Sequence, residues 1–246
     1  MSSATEPAAT HPRLGTALVT GASRGIGRGV ARRLAERGTR VALLARDIDA
    51  LRALAAELGG GAFPVACDVT RPDELQAAAA RVALDFGGAP DVVVNNAGLF
   101  HLQRLDETAP IDFARTVETN LVAPFLLLRA FLPAMRARGS GHVVTVGSIA
   151  DRAAFAENGA YAASKFGARG MHEVLRAELR GTGVRATLVS PGPVDTALWD
   201  AVDPDSRAGF TPRALMLSAD DVADAVLYAL TAPATVNVDE LRLSRA

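Results

Sequence analysis

Cysteine is nearly absent from this chain of 246 residues: Cys67 stands alone, so no internal disulfide can form. No Cys/His cluster has metal-ligand spacing, and no metal is expected. Basic runs are missing and the formal net charge is −1, which argues against nucleic acid as a partner. The longest apolar stretch, Leu121 to Met135, is broken by Arg129 and two prolines, so no membrane span is expected. The opening MSSATEPAATHPRL lacks a basic start followed by an apolar block and does not read as a signal peptide. These absences leave a soluble protein of a reducing compartment, with the cytoplasm as the expected location. With 49% hydrophobic residues the chain can build a sizeable core, which excludes the fibrous, disulfide-framework and disordered classes.

Lysine is the next scarcity. Of 26 basic residues, 25 are arginine and one is Lys165. In so arginine-rich a chain, a retained lysine suggests a need for a compact ammonium that a planar guanidinium cannot imitate. Only two tyrosines occur, and Tyr161 stands four residues before Lys165. On a helix, that spacing puts both side chains on one face.

What is present is alternation. Residues 1–13 are small and polar and read as a disordered tail. Apolar β-type runs follow at Thr16–Thr20, Arg40–Ala45, Ala62–Ala66, Asp91–Val94, His142–Gly147, Val184–Ser190 and Val236–Leu243. Helical patterns lie between them near 26–37, 48–58, 72–86, 112–138, 159–181 and 219–231. Continuous apolar strands alternating with helices predict an α/β fold: a doubly wound, Rossmann-type, seven-stranded parallel sheet flanked by helices on both faces. No linker divides residues 14–246, which are expected to form one domain. The stretch 192–215 fits the alternation poorly, holds three prolines and Trp199, and resembles a lid over a pocket.

The first strand runs into Thr20-Gly21-Ala22-Ser23-Arg24-Gly25-Ile26-Gly27 and a helix follows. Such glycines permit a tight turn and let backbone approach a phosphate, while the helix N-terminus offers free N–H groups. An ordinary Gly-rich turn is the alternative. A site for NAD usually has an acid at the end of the second strand. Here Arg46 follows that strand, and Asp47, two residues past its end, reads better as a helix N-cap. Arg24 with Arg46 would suit a 2′-phosphate, so NADPH/NADP+ is expected over NADH; solvated surface charge is the alternative for both arginines.

Ser148 closes the fifth strand, at a carboxyl end where open α/β sheets place ligands. Asn120 interrupts a helical stretch as a poor helix former, which leaves it either exposed or with a polar task.

The motifs now assembled resemble the single-domain short-chain dehydrogenase/reductase family. They are Thr-Gly-x3-Gly-Ile-Gly at 20–27, Asp68, Asn95-Asn96-Ala97-Gly98, Asn120, Ser148, Tyr161-x3-Lys165 and Pro191-Gly192-x-Val194-x-Thr196, in order across residues 16–200. The resemblance implies hydride transfer between a nicotinamide and a small or medium ketone or aldehyde, or the corresponding secondary alcohol. Tyr161 would be the acid, its pKa lowered by Lys165 and the nicotinamide ring. Ser148 would bind the carbonyl oxygen, Lys165 the nicotinamide ribose, and Asn120 a water on the way to Lys165. The cofactor would meet Gly21, Ser23, Arg24, Gly25, Ile26, Gly27 and Arg46, with Asp68 and Val69 at adenine. Asn95, Ala97 and Gly98 would pass the adenosine ribose, and Pro191, Gly192, Val194 and Thr196 would line the nicotinamide end. Asn96 rather than Asn95 remains open as the cofactor contact, and Asn96 has a further alternative as a loop-to-strand hydrogen bonder. A helix N-cap is the alternative for Asp68. Two other functions stay open: a 3-ketoacyl reductase, disfavoured by an ending without a Gly-Gly strand, and a nucleotide-sensing module without turnover. A homotetramer is expected by resemblance, with a dimer as runner-up.

Overall fold

The computed structural model describes residues 14–246; the expected tail at 1–13 lies outside the described residues. Seven strands run parallel in the order β3-β2-β1-β4-β5-β6-β7. They are β1 (Thr16–Thr20), β2 (Arg40–Ala45), β3 (Phe63–Ala66), β4 (Val92–Asn95), β5 (Gly141–Val146), β6 (Val184–Pro191) and β7 (Glu240–Leu243). The helices are α1 (Gly25–Glu36), α2 (Ile48–Leu58), α3 (Pro72–Phe86), α4 (Pro110–Val117), α5 (Ala123–Arg138), α6 (Gly159–Glu178) and α7 (Ala219–Thr231).

Strands such as Ala17-Leu18-Val19 are apolar without alternation because both faces are covered. Val30 and Leu34 of α1, Leu51 of α2 and Val226 and Leu230 of α7 pack on one face. Leu75 of α3, Leu127, Phe131 and Met135 of α5, and Leu175 of α6 pack on the other. Each such buried side chain contributes about 1.5–3 kcal/mol. The chain order reverses between β1 and β4, and the carboxyl ends of the strands diverge there into a cleft.

Two expectations are corrected. The helix drawn over 112–138 is two helices joined by a π-helical turn at Glu118–Val122, because Asn120 spends its side chain on a neighbouring loop. By length and composition Pro110–Arg138 could cross a membrane, but Leu127, Phe131 and Met135 lie in the core. The last strand is Glu240–Leu243, not Val236–Leu243. Asn237 imitates a strand partner instead: its Oδ1 accepts from Ala186 N and its Nδ2 donates to Ala186 O, each at 3.1 Å.

Candidate active site

The cleft encloses about 770 Å³. At one end β1 delivers the glycine turn. Gly21 has φ +65°, and a Cβ there would lie 2.9 Å from Asn96 Nδ2 and 3.0 Å from Ala97 Cα. A Cβ on Gly27 would fall on the Gly21 carbonyl and 2.5 Å from Asn96 Nδ2. Asn96 staples the two loops, donating from Nδ2 to Thr20 O at 2.8 Å, while its N–H and that of Ala97 donate to Thr20 Oγ1 at 3.0 Å. The N-cap of α1, Arg24, is extended and makes no side-chain cap hydrogen bond, so the side chains leave the first-turn N–H groups at the cleft unclaimed. A tight cradle without Cβ atoms above a bare helix N-terminus fits a diphosphate.

Further along this end lie Ser23, Arg24, Gly25, Ile26, Arg46, Asp68 and Val69, together with Arg115 and Thr119, which the motifs had not indicated. Neither Arg24 nor Arg46 has an ion pair or a side-chain hydrogen bond among the described residues. Asp47 is the N-cap of α2, accepting from Ala50 N at 3.0 Å. Burial pushes the Asp68 carboxyl up, but hydrogen bonds from the Thr70 N–H and hydroxyl, with Arg46 and Arg115 nearby, outweigh it and leave the pKa below the usual value.

Gly27, Asn95 and Asn120, three of the expected site residues, do not line the cleft. Gly27 packs under the turn rather than lining the cleft. Asn95, 4% exposed, ends β4 on the core side with its amide unpartnered among the described residues; Asn96 holds the cleft wall instead. Asn120 is 3% exposed beneath the wall. Its Nδ2 donates to Leu99 O and Ser164 Oγ, both at 2.9 Å, and its Oδ1 accepts from Leu99 N at 2.8 Å. Its side chain clamps the π-helical turn to the Leu99 loop and α6.

The opposite end carries the reactive groups. Ser148 leaves β5 and its Oγ accepts from Ala150 N at 3.2 Å, opening a 3-10 turn at Ile149–Asp151. Tyr161 and Lys165 share one face of α6 and both line the cleft. Lys165 is 6% exposed; its Nζ donates to Val146 O at 2.9 Å and lies 5.6 Å from the Tyr161 ring centroid. Burial carries Lys165 down to about 8, against an upward pull from Asp151. Burial carries Tyr161 up to about 12; the Ser148 hydroxyl, as hydrogen-bond partner, lowers it and Asp151 raises it. No lowering from Lys165 is seen, burial decides, and the phenol is held protonated.

Phe100 meets the Tyr161 ring edge-on at 4.9 Å and Trp199 at 4.8 Å, with Phe210 6.2 Å beyond Trp199. Pro191, Gly192, Val194 and Thr196 also line this end of the cleft. Arg213 fastens the segment above them, meeting Asp195 and Asp200 at 2.7 Å each. Among the described residues no His, Cys, Asp and Glu cluster could hold a metal.

A sequence model of the short chain dehydrogenase family matches residues 15–207. The chain belongs to the short-chain dehydrogenases. It is 38% identical over 233 residues to a D-threitol dehydrogenase of Mycolicibacterium smegmatis, covering 92% of this chain and 89% of that one. A metagenomic short-chain oxidoreductase solved with NADP superposes with TM-score 0.81 at 36% identity, covering 94% and 96% of the two chains. An alcohol dehydrogenase from Thermococcus sibiricus, solved with 5-hydroxy-NADP, gives 0.83 at 33% identity, covering 95% and 97%. Like its relatives, this short-chain dehydrogenase is an oxidoreductase acting between alcohol and carbonyl.

Proposed function

We propose that this short-chain dehydrogenase reduces a small or medium ketone or aldehyde with NADPH, and runs the reverse oxidation when alcohol is in excess. The observation that carries it is the convergence of Tyr161, Lys165 and Ser148 on one wall of a cleft whose far end holds Arg24 and Arg46, neither in an ion pair among the described residues. A nicotinamide dinucleotide bound there supplies the hydride that reaches the carbonyl carbon. The Ser148 hydroxyl donates a hydrogen bond to the carbonyl oxygen as negative charge develops on it. Tyr161, protonated at neutral pH because burial pushes it up to about 12, gives that oxygen its proton. The Lys165 ammonium then stabilises the phenolate left behind. Phe100 and Trp199 give the substrate an apolar wall and keep water from the carbonyl. The residues Gly192–Leu215 act as the lid.

NADPH is favoured because Arg46 follows β2 while Asp47 is spent capping α2, and Arg24 faces the same end. Relatives solved with NADP or its derivative point the same way. The exposed apolar residues Val122 and Phe125 near the start of α5 and Phe166 of α6 suit a homotetramer or, failing that, a dimer, working in the cytoplasm. The test follows NADPH absorbance over a panel of ketones, aldehydes and β-keto esters, with Tyr161→Phe beside the wild type. Consumption lost in the variant supports the reading. Turnover that survives Tyr161→Phe, or faster turnover with NADH, overturns its chemistry or its cofactor respectively.

A further inference from the structure

Behind the reactive wall lies a carboxylate with no exposed surface. Asp151 closes the 3-10 turn after Ser148 and is 0% exposed. Its Oδ2 accepts from Ser190 Oγ of β6 at 2.5 Å and its Oδ1 from Arg152 Nε at 2.6 Å. Arg152 in turn meets Glu240 of β7 at 2.5 Å. Gly147 lets this group come close: a Cβ there would lie 2.8 Å from Asp151 Oδ2 and 2.9 Å from Ser190 Oγ. Gly147 stands between Val146, whose carbonyl seats the Lys165 ammonium, and Ser148. The carboxylate therefore presses against the short piece of backbone that joins the two supports of the reactive wall. Two carboxylates share one guanidinium in the network, which leaves net negative charge behind the Tyr161–Lys165 pair. Ser190 and Arg152 offset the cost of burying this carboxylate, whereas an apolar residue could anchor β6 and β7 without incurring it.

We propose that Asp151 is a positioning residue for the redox site, its buried charge holding the Lys165 ammonium on the Val146 carbonyl and keeping the Tyr161 proton in place until a substrate oxygen draws it. The inference rests on the function proposed above. Its direction is set by charge: a carboxylate favours ammonium over amine and phenol over phenolate. Asp151 acts upward on both Lys165 and Tyr161, with burial the larger influence on each. The other charged or titrating groups on surrounding elements are differently engaged. Arg152 and Glu240 belong to the network itself. On α6, burial carries His172 down to about 4, so it is neutral, and its Nδ1 faces Thr145. Glu157 pairs with Arg207, and Asp195 and Asp200 pair with Arg213. Arg115, on α4, lines the cleft near Asp68, and Glu118 opens the π-helical turn.

The chain offers a readout independent of turnover, because Tyr228 is the only other tyrosine and is 65% exposed. In a Tyr228→Phe background, the near-ultraviolet rise on phenolate formation reports Tyr161 alone. Asp151→Asn is expected to lower that midpoint by about one pH unit. The alkaline limb of kcat/KM for carbonyl reduction should move down with it. Glu240→Gln, a milder change at a partly exposed side chain, should shift both in the same direction by less. A residue that only braced β6 and β7 would lower stability or kcat and leave midpoint and limb in place. An unmoved midpoint in Asp151→Asn overturns the proposal; if that variant does not fold, an unmoved midpoint in Glu240→Gln does so. Should no carbonyl be reduced by the wild type, the proposed function falls while the phenolate midpoint still reads the Asp151 charge.

Discussion

Gly27→Ala sets two effects of opposite sign against each other. Gly27 lies in the first turn of α1, where alanine is preferred over glycine by about 1 kcal/mol on helix propensity alone. Against this, the new Cβ would fall on the Gly21 carbonyl and 2.5 Å from Asn96 Nδ2. Neither is the loose end of a flexible chain: one is backbone, and the other is the amide that donates to Thr20 O at 2.8 Å. Overpacking of this kind costs about 1–3 kcal/mol, and a displaced Asn96 leaves a hydrogen bond broken for about 1 kcal/mol more. The steric side wins by about 2 kcal/mol, which lowers Tm by about 4–8 °C for a chain of this size. Because the atoms that must move form the cradle, NADPH affinity should fall about tenfold or more, from 1.4 kcal/mol per decade. Gly170→Ala is the control: it lies within α6 with nothing within 4 Å of its Cβ and no positive φ, so it should leave Tm unchanged or raise it. Thermal unfolding with and without NADPH, plus a fluorescence titration, reads both quantities. A wild-type Tm and wild-type affinity in Gly27→Ala would show that the cradle tolerates a Cβ there.

Lys165→Arg should lower kcat at least about a hundredfold, since a guanidinium cannot seat on the Val146 carbonyl as the ammonium does; single-turnover NADPH oxidation checks it. Arg46→Ala should raise KM for NADPH about tenfold or more while leaving KM for NADH unchanged, which steady-state kinetics with both cofactors decides. Asn120→Ala removes three hydrogen bonds to Leu99 and Ser164, each worth about 1 kcal/mol, so the urea midpoint should drop by the equivalent of about 3 kcal/mol. His142 and His172 are held down to about 3 and about 4, chiefly by burial, against about 6.5 when unfolded. Both are neutral in the folded state, so their contribution is whole above pH about 6.5 and is lost as pH falls toward 4, by up to about 1.4 kcal/mol per pH unit for each. Urea unfolding from pH 7.5 down to 5 should show this slope, and His172→Gln should reduce it.

Much of the site could be read from the chain because it sits on elements with strong local signals. β1 and β2 are unbroken apolar runs buried on both faces, and the glycine turn and Ser148 leave such strands at their carboxyl ends. Tyr161 and Lys165 keep their relation because a helix fixes the four-residue spacing. What the local pattern does not announce turns on single residues and long-range partners. β4 ends at Asn95, one residue later than expected, and with a period of two that residue falls on the core side with Val93, leaving Asn96 to the cleft. The π-helical turn exists because Asn120 bonds to Leu99, 21 positions away, which no helical period announces. The pairing of Asp151 with Ser190, and of Arg152 with Glu240, is invisible locally for the same reason. The aromatic wall likewise joins Phe100, Tyr161 and Trp199 from three separate segments.

The proposed reaction passes a hydride from NADPH to a carbonyl carbon beside Tyr161. The most direct measurement supplies NADPH deuterated at the transferring ring carbon, with the best substrate from the panel, and examines the alcohol by mass spectrometry. One deuterium is expected on the carbinol carbon with the wild type, and a rate at least about a hundredfold lower with Tyr161→Phe. An alcohol free of deuterium, or an undiminished rate in the variant, would contradict it.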